Sequence, residues 1–137
     1  MLALKMIRQT LFDLLDQQIE GVAYYHNGRP IFLNADETPA IAVFIEGAET
    51  EDIDLCGAYW ECVLNVVVYQ KSTLPEDRID LIMERVIQKL NSINRENFER
   101  FSLENLAYAY DEQQTQWIAG TLQYRIGFYL TIEDDEL

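Results

Sequence analysis

Positive charge is scarce in this sequence. Ten Lys and Arg stand against 24 Asp and Glu, which leaves a formal net charge of −14 over 137 residues. A nonspecific nucleic-acid binder needs Lys and Arg to neutralise phosphates, so this balance argues against that class. It argues equally against attachment to an anionic membrane surface. No run approaches the roughly 20 apolar residues of a membrane span. The N-terminus, Met1-Leu2-Ala3-Leu4-Lys5, lacks the basic leader and long apolar block of a signal peptide.

Histidine, cysteine and glycine are scarce too. The one histidine, His26, stands beside a tight turn and reads as an exposed turn residue with no nucleophile or orienting partner in view. The two cysteines, Cys56 and Cys62, have neither redox-pair nor zinc spacing and read as reduced thiols. None of the six glycines stands in a phosphate-loop motif. No cofactor or metal site is expected.

What is present is enough for one folded domain. Half the residues (49%) are apolar, and no Pro/Gly/Ser-rich linker or repeat divides the chain. Leu4, Ile7, Leu11, Leu14 and Leu15 recur at steps of three and four, predicting a helix within 2–19 with Gly21 as its stop. Asn27-Gly28 between β-prone runs predicts a hairpin, with the Pro30 strand on an edge or pairing only beyond Pro30. Residues 40–45 are apolar on both faces, as in a strand covered on two sides. Residues 46–54 hold five acids and no base and read as a loop.

Tyr59 to Tyr69 alternates, with Trp60, Cys62, Leu64, Val66 and Val68 on one face. Thr73-Leu74-Pro75-Glu76 has capping-box spacing ahead of a helix carrying Ile79, Ile82, Met83, Val86, Ile87 and Leu90. Residues 91–105 read as a loop with one helical turn. Leu106, Tyr108 and Tyr110 suggest a strand. Ile118, Leu122, Tyr124, Ile126, Phe128, Leu130 and Ile132 form the longest alternation, and Gly120 and Gly127 within it mark bends or close packing. Tyr129, off that stripe, suits a contact with another subunit and equally an ordinary exposed position on the sheet. The fold expected is α+β: a mainly antiparallel or mixed sheet of five to six strands against two main helices. It is a single domain over 1–137, with an acidic tail at 133–137.

Carboxylates are so abundant that pairs of them carry little weight. Glu46, Glu49, Glu51, Asp52 and Asp54 lack the ligand pattern of a calcium loop and read as a solvated acidic patch. Glu76, Asp77 and Asp80 complement the dipole of the second helix. Eight tyrosines, two tryptophans and six phenylalanines supply surfaces suited to interfaces.

An ordered series of motifs carries more information. Gly28-Arg29-Pro30 is followed by Asp36, by Pro39-Ala40-Ile41-Ala42-Val43 and by Gly47-Ala48-Glu49. Tyr59-Trp60-Glu61 then opens a strand through Leu64, Val66 and Val68, and Pro75-Glu76 opens a helix with Asp80, Met83 and Glu84. In order and spacing this series resembles the lambda-type minor tail protein U family, the tail terminators of long-tailed bacteriophages. The resemblance runs from Leu2 to Ile132. It departs from the family pattern at residues 34–38, at the cysteines and at 91–105.

The resemblance implies a ring, six copies in the family, on the head-proximal end of the tail tube. Such a ring stops tube growth and offers a surface for head–tail joining, with no catalysis. The partners implied are further copies of the chain, the major tail tube protein and the head–tail connector protein. The place implied is the virion tail, assembled in the bacterial host cytoplasm. No specific nucleic-acid contact is implied, although DNA passes through the ring, and no membrane.

Like charges oppose ring closure, so a divalent cation is expected to enter only as a weak aid to assembly. The subunit contacts expected are Arg29, the acids Glu46, Glu49, Glu51, Asp52 and Asp54, and Glu76, Asp77 and Asp80 on the second helix. Part of the 46–54 stretch is expected to approach the lumen or a ring face. The composition alone would equally serve another neck or tail-completion protein, whereas nothing in it favours the remaining alternatives, a small acidic intracellular enzyme or an adaptor domain.

Overall fold

A computed structural model describes residues 2–30, 33–53, 57–71, 75–111 and 117–131. Helix α1 spans Leu2–Leu15 and helix α2 spans Pro75–Leu90. The strands are β1 (Tyr24–Asn27), β2 (Ala40–Ile53), β3 (Gly57–Lys71), β4 (Arg100–Tyr110) and β5 (Trp117–Thr131). They form one sheet in the order β1-β2-β3-β5-β4. Only β1–β2 is parallel; the other ladders are antiparallel. This is the α+β architecture read from the sequence, with five strands.

The spine is the β3–β5 ladder. It runs without a break from Gly57↔Thr131 to Lys71↔Trp117, about 50 Å at the usual rise. Its alternation puts Cys62, Leu64, Val66, Val68, Ile118, Leu122, Tyr124, Ile126 and Phe128 under the helices. Ile7, Leu11 and Leu15 of α1 and Ile79, Ile82, Met83, Val86 and Leu90 of α2 close that core. Gly120 is the close approach its place suggests: a Cβ there would sit 2.5 Å from Met83 Sδ and 3.1 Å from Ile79 Cδ1. Burial pushes the Cys62 thiol up to about 11. Cys56 lies outside the described residues.

Several expectations are corrected. The acidic stretch is not a loop. It continues β2 along β3, with Gly47↔Val63, Ala48↔Cys62 and Glu49↔Glu61 in register. Register shifts at Ile45/Gly47 and Thr50/Asp52 drop Glu46 and Glu51 out of the ladder as bulge residues. Ala48 and Thr50 meanwhile keep the parity facing Cys62 and Trp60. The long β3 template outweighs the low strand propensity of the acids.

Asn27-Gly28 does not turn the chain into a hairpin. β1 pairs in parallel with β2, and the Gly28 N–H continues that ladder to Val43 O at 2.7 Å. Gly28 does use its positive φ (+113°), but to leave the strand. The Asn27 side chain is taken by α1: its Oδ1 accepts from Arg8 Nε at 2.8 Å, and its Nδ2 donates to Gln9 Oε1 at 2.7 Å. His26 lies within β1, half-buried, with Nε2 enclosed and no hydrogen-bond partner among the described residues. It is not an exposed turn residue.

α1 stops at Leu15, short of Gly21. Gln17 adopts φ +58°, which ends the helix and tucks Ile19 and Val22 into the core. The Tyr25 hydroxyl locks this turn, accepting from Ile19 N–H at 3.2 Å and donating to Val22 O at 2.9 Å. In the 91–105 stretch the one helical turn is Arg95–Asn97, and β4 begins at Arg100. Thr73 and Leu74 of the capping box, the strand beyond Pro30 at Ile31 and Phe32, Asp54, Ile132 and the 133–137 tail all lie outside the described residues.

Candidate assembly surfaces

Both helices cover one face of the sheet, which leaves the other face open. Its residues follow from the register. Arg29 lies at one end, its guanidinium 4.7 Å from the Phe44 ring centroid. Glu46 comes next and accepts from Gln123 Nε2 at 3.2 Å, and Gln123 also reaches Asn65 Oδ1 at 3.4 Å.

The centre of the open face is a charged cluster that sequence reasoning missed. Glu61 is 5% exposed on a face without a helix. Its Oε2 accepts from the Tyr59 hydroxyl at 2.8 Å and from Arg100 Nη1 at 3.3 Å. Its Oε1 accepts from Arg125 Nη1 at 3.5 Å. Glu104 closes the square, bonded to Arg100 at 3.1 Å and Arg125 at 3.3 Å. Burial pushes the Glu61 carboxyl up, but the Tyr59 hydroxyl and the two guanidiniums outweigh it, and the net shift is downward. The parity of β3 alone puts Glu61 on this face. Finding its partners required the β4 register, which the loop reading of 91–105 hid.

Tyr129 is exposed on the same face, its ring 5.2 Å from that of Tyr59. Glu49 is exposed opposite Glu61. Glu51 and Asp52 lie further along β2, with Asp52 in register with Tyr59.

The sheet edges form a second set of surfaces. β1 covers only Ala40–Val43 of β2, so the outer edge of β2 from Phe44 onward has no strand partner among the described residues. β4 is the other edge, and every residue from Leu103 to Tyr110 is exposed. Long exposed edges of this kind are templates for other chains.

Beside β4 stands the first half of α2. Glu76, Asp77 and Asp80 are exposed, and Asp80 Oδ1 accepts a hydrogen bond from the Tyr108 hydroxyl. That bond, with burial and the nearby charges of Asp80, Tyr110 and Glu76, pushes the Tyr108 hydroxyl up to about 12. The structure thus brings the α2 acids together with Tyr108 and Tyr110. It keeps them apart from Glu46 and Glu49, which lie on β2 and the opposite face.

A third feature is a surface cleft of about 480 Å³ between the turn after α1 and the second half of α2, lined by Gln18, Glu20, Arg85, Gln88 and Lys89 among others. Arg85 Nη1 donates to Glu20 O at 2.7 Å. Among the described residues, no three His, Cys, Asp or Glu gather where they could hold a metal ion, and no helix is long and apolar enough to cross a membrane.

The prominent features are thus faces and edges, the working parts of a structural protein that assembles with other chains. The family model of the phage minor tail protein U matches residues 3–128, and the chain belongs to that family. It is 28% identical over 125 residues to the tail tube terminator protein of Escherichia phage N15, covering 89% of this chain and 95% of that protein. To the tail tube terminator protein of Escherichia phage lambda it is 26% identical, with the same coverage. A chain in the virion of a native gene transfer agent particle shares the fold, with a TM-score of 0.58 at 11% identity, over 90% of this chain and 95% of that one.

Proposed function

We propose that this chain is a structural tail terminator that closes the head-proximal end of a phage tail tube as a ring of identical copies. The ring stops tube growth and presents the surface for head–tail joining. The match to the minor tail protein U family across nearly the whole chain carries this reading. In it the chain acts by surface complementarity alone, without catalysis or a cofactor. Its partners are its own copies (six, by the resemblance), the major tail tube protein and the head–tail connector protein.

The contacts proposed are Arg29, the β2 acids Glu46, Glu49, Glu51 and Asp52 together with Asp54, and Glu76, Asp77 and Asp80 of α2. A wall carrying such acids, with Arg100 and Arg125 already paired to Glu61 and Glu104, would let DNA pass without binding its phosphates. A divalent cation would act here only by weakly screening acids that approach one another. The test adds the purified protein to polymerising tail tube protein and measures tube lengths. Short tubes capped at one end are expected; unchanged lengths overturn the reading. Particles lacking the protein should carry overlong tails. Normal-length tails beside separate heads would instead identify a neck-joining protein.

A further inference from the structure

Charge on α2 is sorted by flank. Glu76, Asp80 and Glu84 fall at i, i+4 and i+8 on one side of the helix, with Asp77 next to them. Arg78, Arg85 and Lys89 fall at i, i+7 and i+11 on the other. The contacts confirm the two directions. Asp80 meets Tyr108 on β4, whereas Arg85 meets Glu20 beyond the end of α1. The first flank is extended by the exposed rings of Tyr108 and Tyr110. The second opens on the cleft, where Arg85 and Lys89 are joined by the amides of Gln18 and Gln88. Glu20 also lines the cleft and offsets one of the two positive charges.

The Arg85 guanidinium is oriented by its bond to the Glu20 carbonyl, and a fork so held suits a carboxylate. The chain carries a net charge of −14, so a cleft carrying two cations is a natural complement to its acidic flank. The two flanks face away from each other. One contact therefore uses one flank of each chain and leaves the opposite flanks free for the next copies, which is the head-to-tail geometry that builds rings.

We infer that the Arg85–Lys89 cleft is the receiving half of the contact between copies, and that its occupant is the α2 acidic flank of a second copy of this chain, bearing Glu76, Asp77 and Asp80 beside Tyr108 and Tyr110. This rests on the ring reading above. It selects the α2 acids, in preference to those of β2, as the ones that cross between neighbours.

The experiment uses charge-reversed variants of the full-length chain. Glu76→Lys/Asp77→Lys reverses the acidic flank without touching the Asp80–Tyr108 bond. Arg85→Glu/Lys89→Glu reverses the cleft. A second cleft variant, Gln88→Glu/Lys89→Glu, keeps Arg85 and its bond to Glu20. Rings are read by sedimentation and as capped tube ends in electron micrographs, with helix content followed by circular dichroism. Each variant alone should lose ring formation about tenfold or more at low ionic strength, because like charges then meet.

An equal mixture of the flank variant with either cleft variant should recover rings. Alternating copies place Lys against Glu at one contact and the natural pair at the next. Folded variants that cap tubes as well as the natural chain overturn this inference and leave the terminator reading intact. So does a mixture that recovers nothing, or a cleft variant rescued by Glu46→Lys/Glu49→Lys in place of the α2 reversal. Failure of the natural chain to shorten tubes overturns both readings.

Discussion

Arg100 reaches Glu61 across a missing side chain. In the ladders Arg100 stands opposite Gly127, and Gly127 stands opposite Glu61. With no Cβ between them, guanidinium and carboxylate meet at 3.3 Å over the middle strand. The Tyr59 hydroxyl enters the same gap from β3. A 5% exposed carboxylate is thereby kept charged on a face that no helix covers.

The first expectation is acid sensitivity. Glu61 has its folded value lowered from the ordinary 4.5. Its contribution to stability is therefore complete above pH 4.5 and disappears as the pH falls through the lower folded value. Glu61→Gln should cost about 2 kcal/mol at neutral pH and flatten that part of the acid limb. Urea titrations between pH 7 and pH 3 measure both; an unchanged pH profile would remove Glu61 from the account.

Gly127→Ala tests the gap itself. The added methyl would overlap the Tyr59 ring and hydroxyl and press on Arg100 Cβ. The expected loss is about 1–3 kcal/mol. Combining it with Tyr59→Ala should recover part of that loss, because the obstructing ring is gone. Thermal unfolding of the two single variants and the double gives the coupling.

The sequence made the layers legible and left the connections obscure. Alternation on β3 and β5 and the 3.6-residue stripe of α2 each point one way, so strands, helix and core faces agree with the structure down to Met83 over Gly120. The errors lie where a neighbour decides. Residues 46–53 are strand because β3 is there to pair with them. Asn27-Gly28 leaves the ladder without reversing because α1 takes the Asn27 side chain. The same holds for the surfaces. The acids were visible as composition, but which of them share a face depends on register. Arg29 is expected from the sequence at a subunit contact, and the structure adds its place over Phe44.

Cys62 reports on the spine. The thiol is fully buried and pushed up to about 11 by burial, so little thiolate exists at pH 8. In a Cys56→Ser background, a disulfide reagent should leave Cys62 unmodified in the native protein and react with it on unfolding. Labelling that tracks denaturant unfolding confirms the β3–β5 spine as a late-opening unit. Rapid native labelling would place Cys62 outside the core.

Tyr108 joins the fold to the proposed contact between copies. Its hydroxyl donates to Asp80, and the loss of its proton is disfavoured because that bond would be broken beside a carboxylate. Asp80→Asn should lower the tyrosine's midpoint from about 12, visible as an earlier tyrosinate absorbance rise in the alkaline titration. Tyr108→Phe should reduce the late-titrating component by one tyrosine, leaving Tyr124, which burial also pushes up to about 12. It should cost only about 0.5–1.5 kcal/mol of stability, as for one partly exposed hydrogen bond. The same variant should weaken ring assembly more than it weakens the fold, since the Asp80 carboxylate loses the group that orients it toward a neighbour. Equal and small effects on both would confine the Tyr108–Asp80 bond to a structural role.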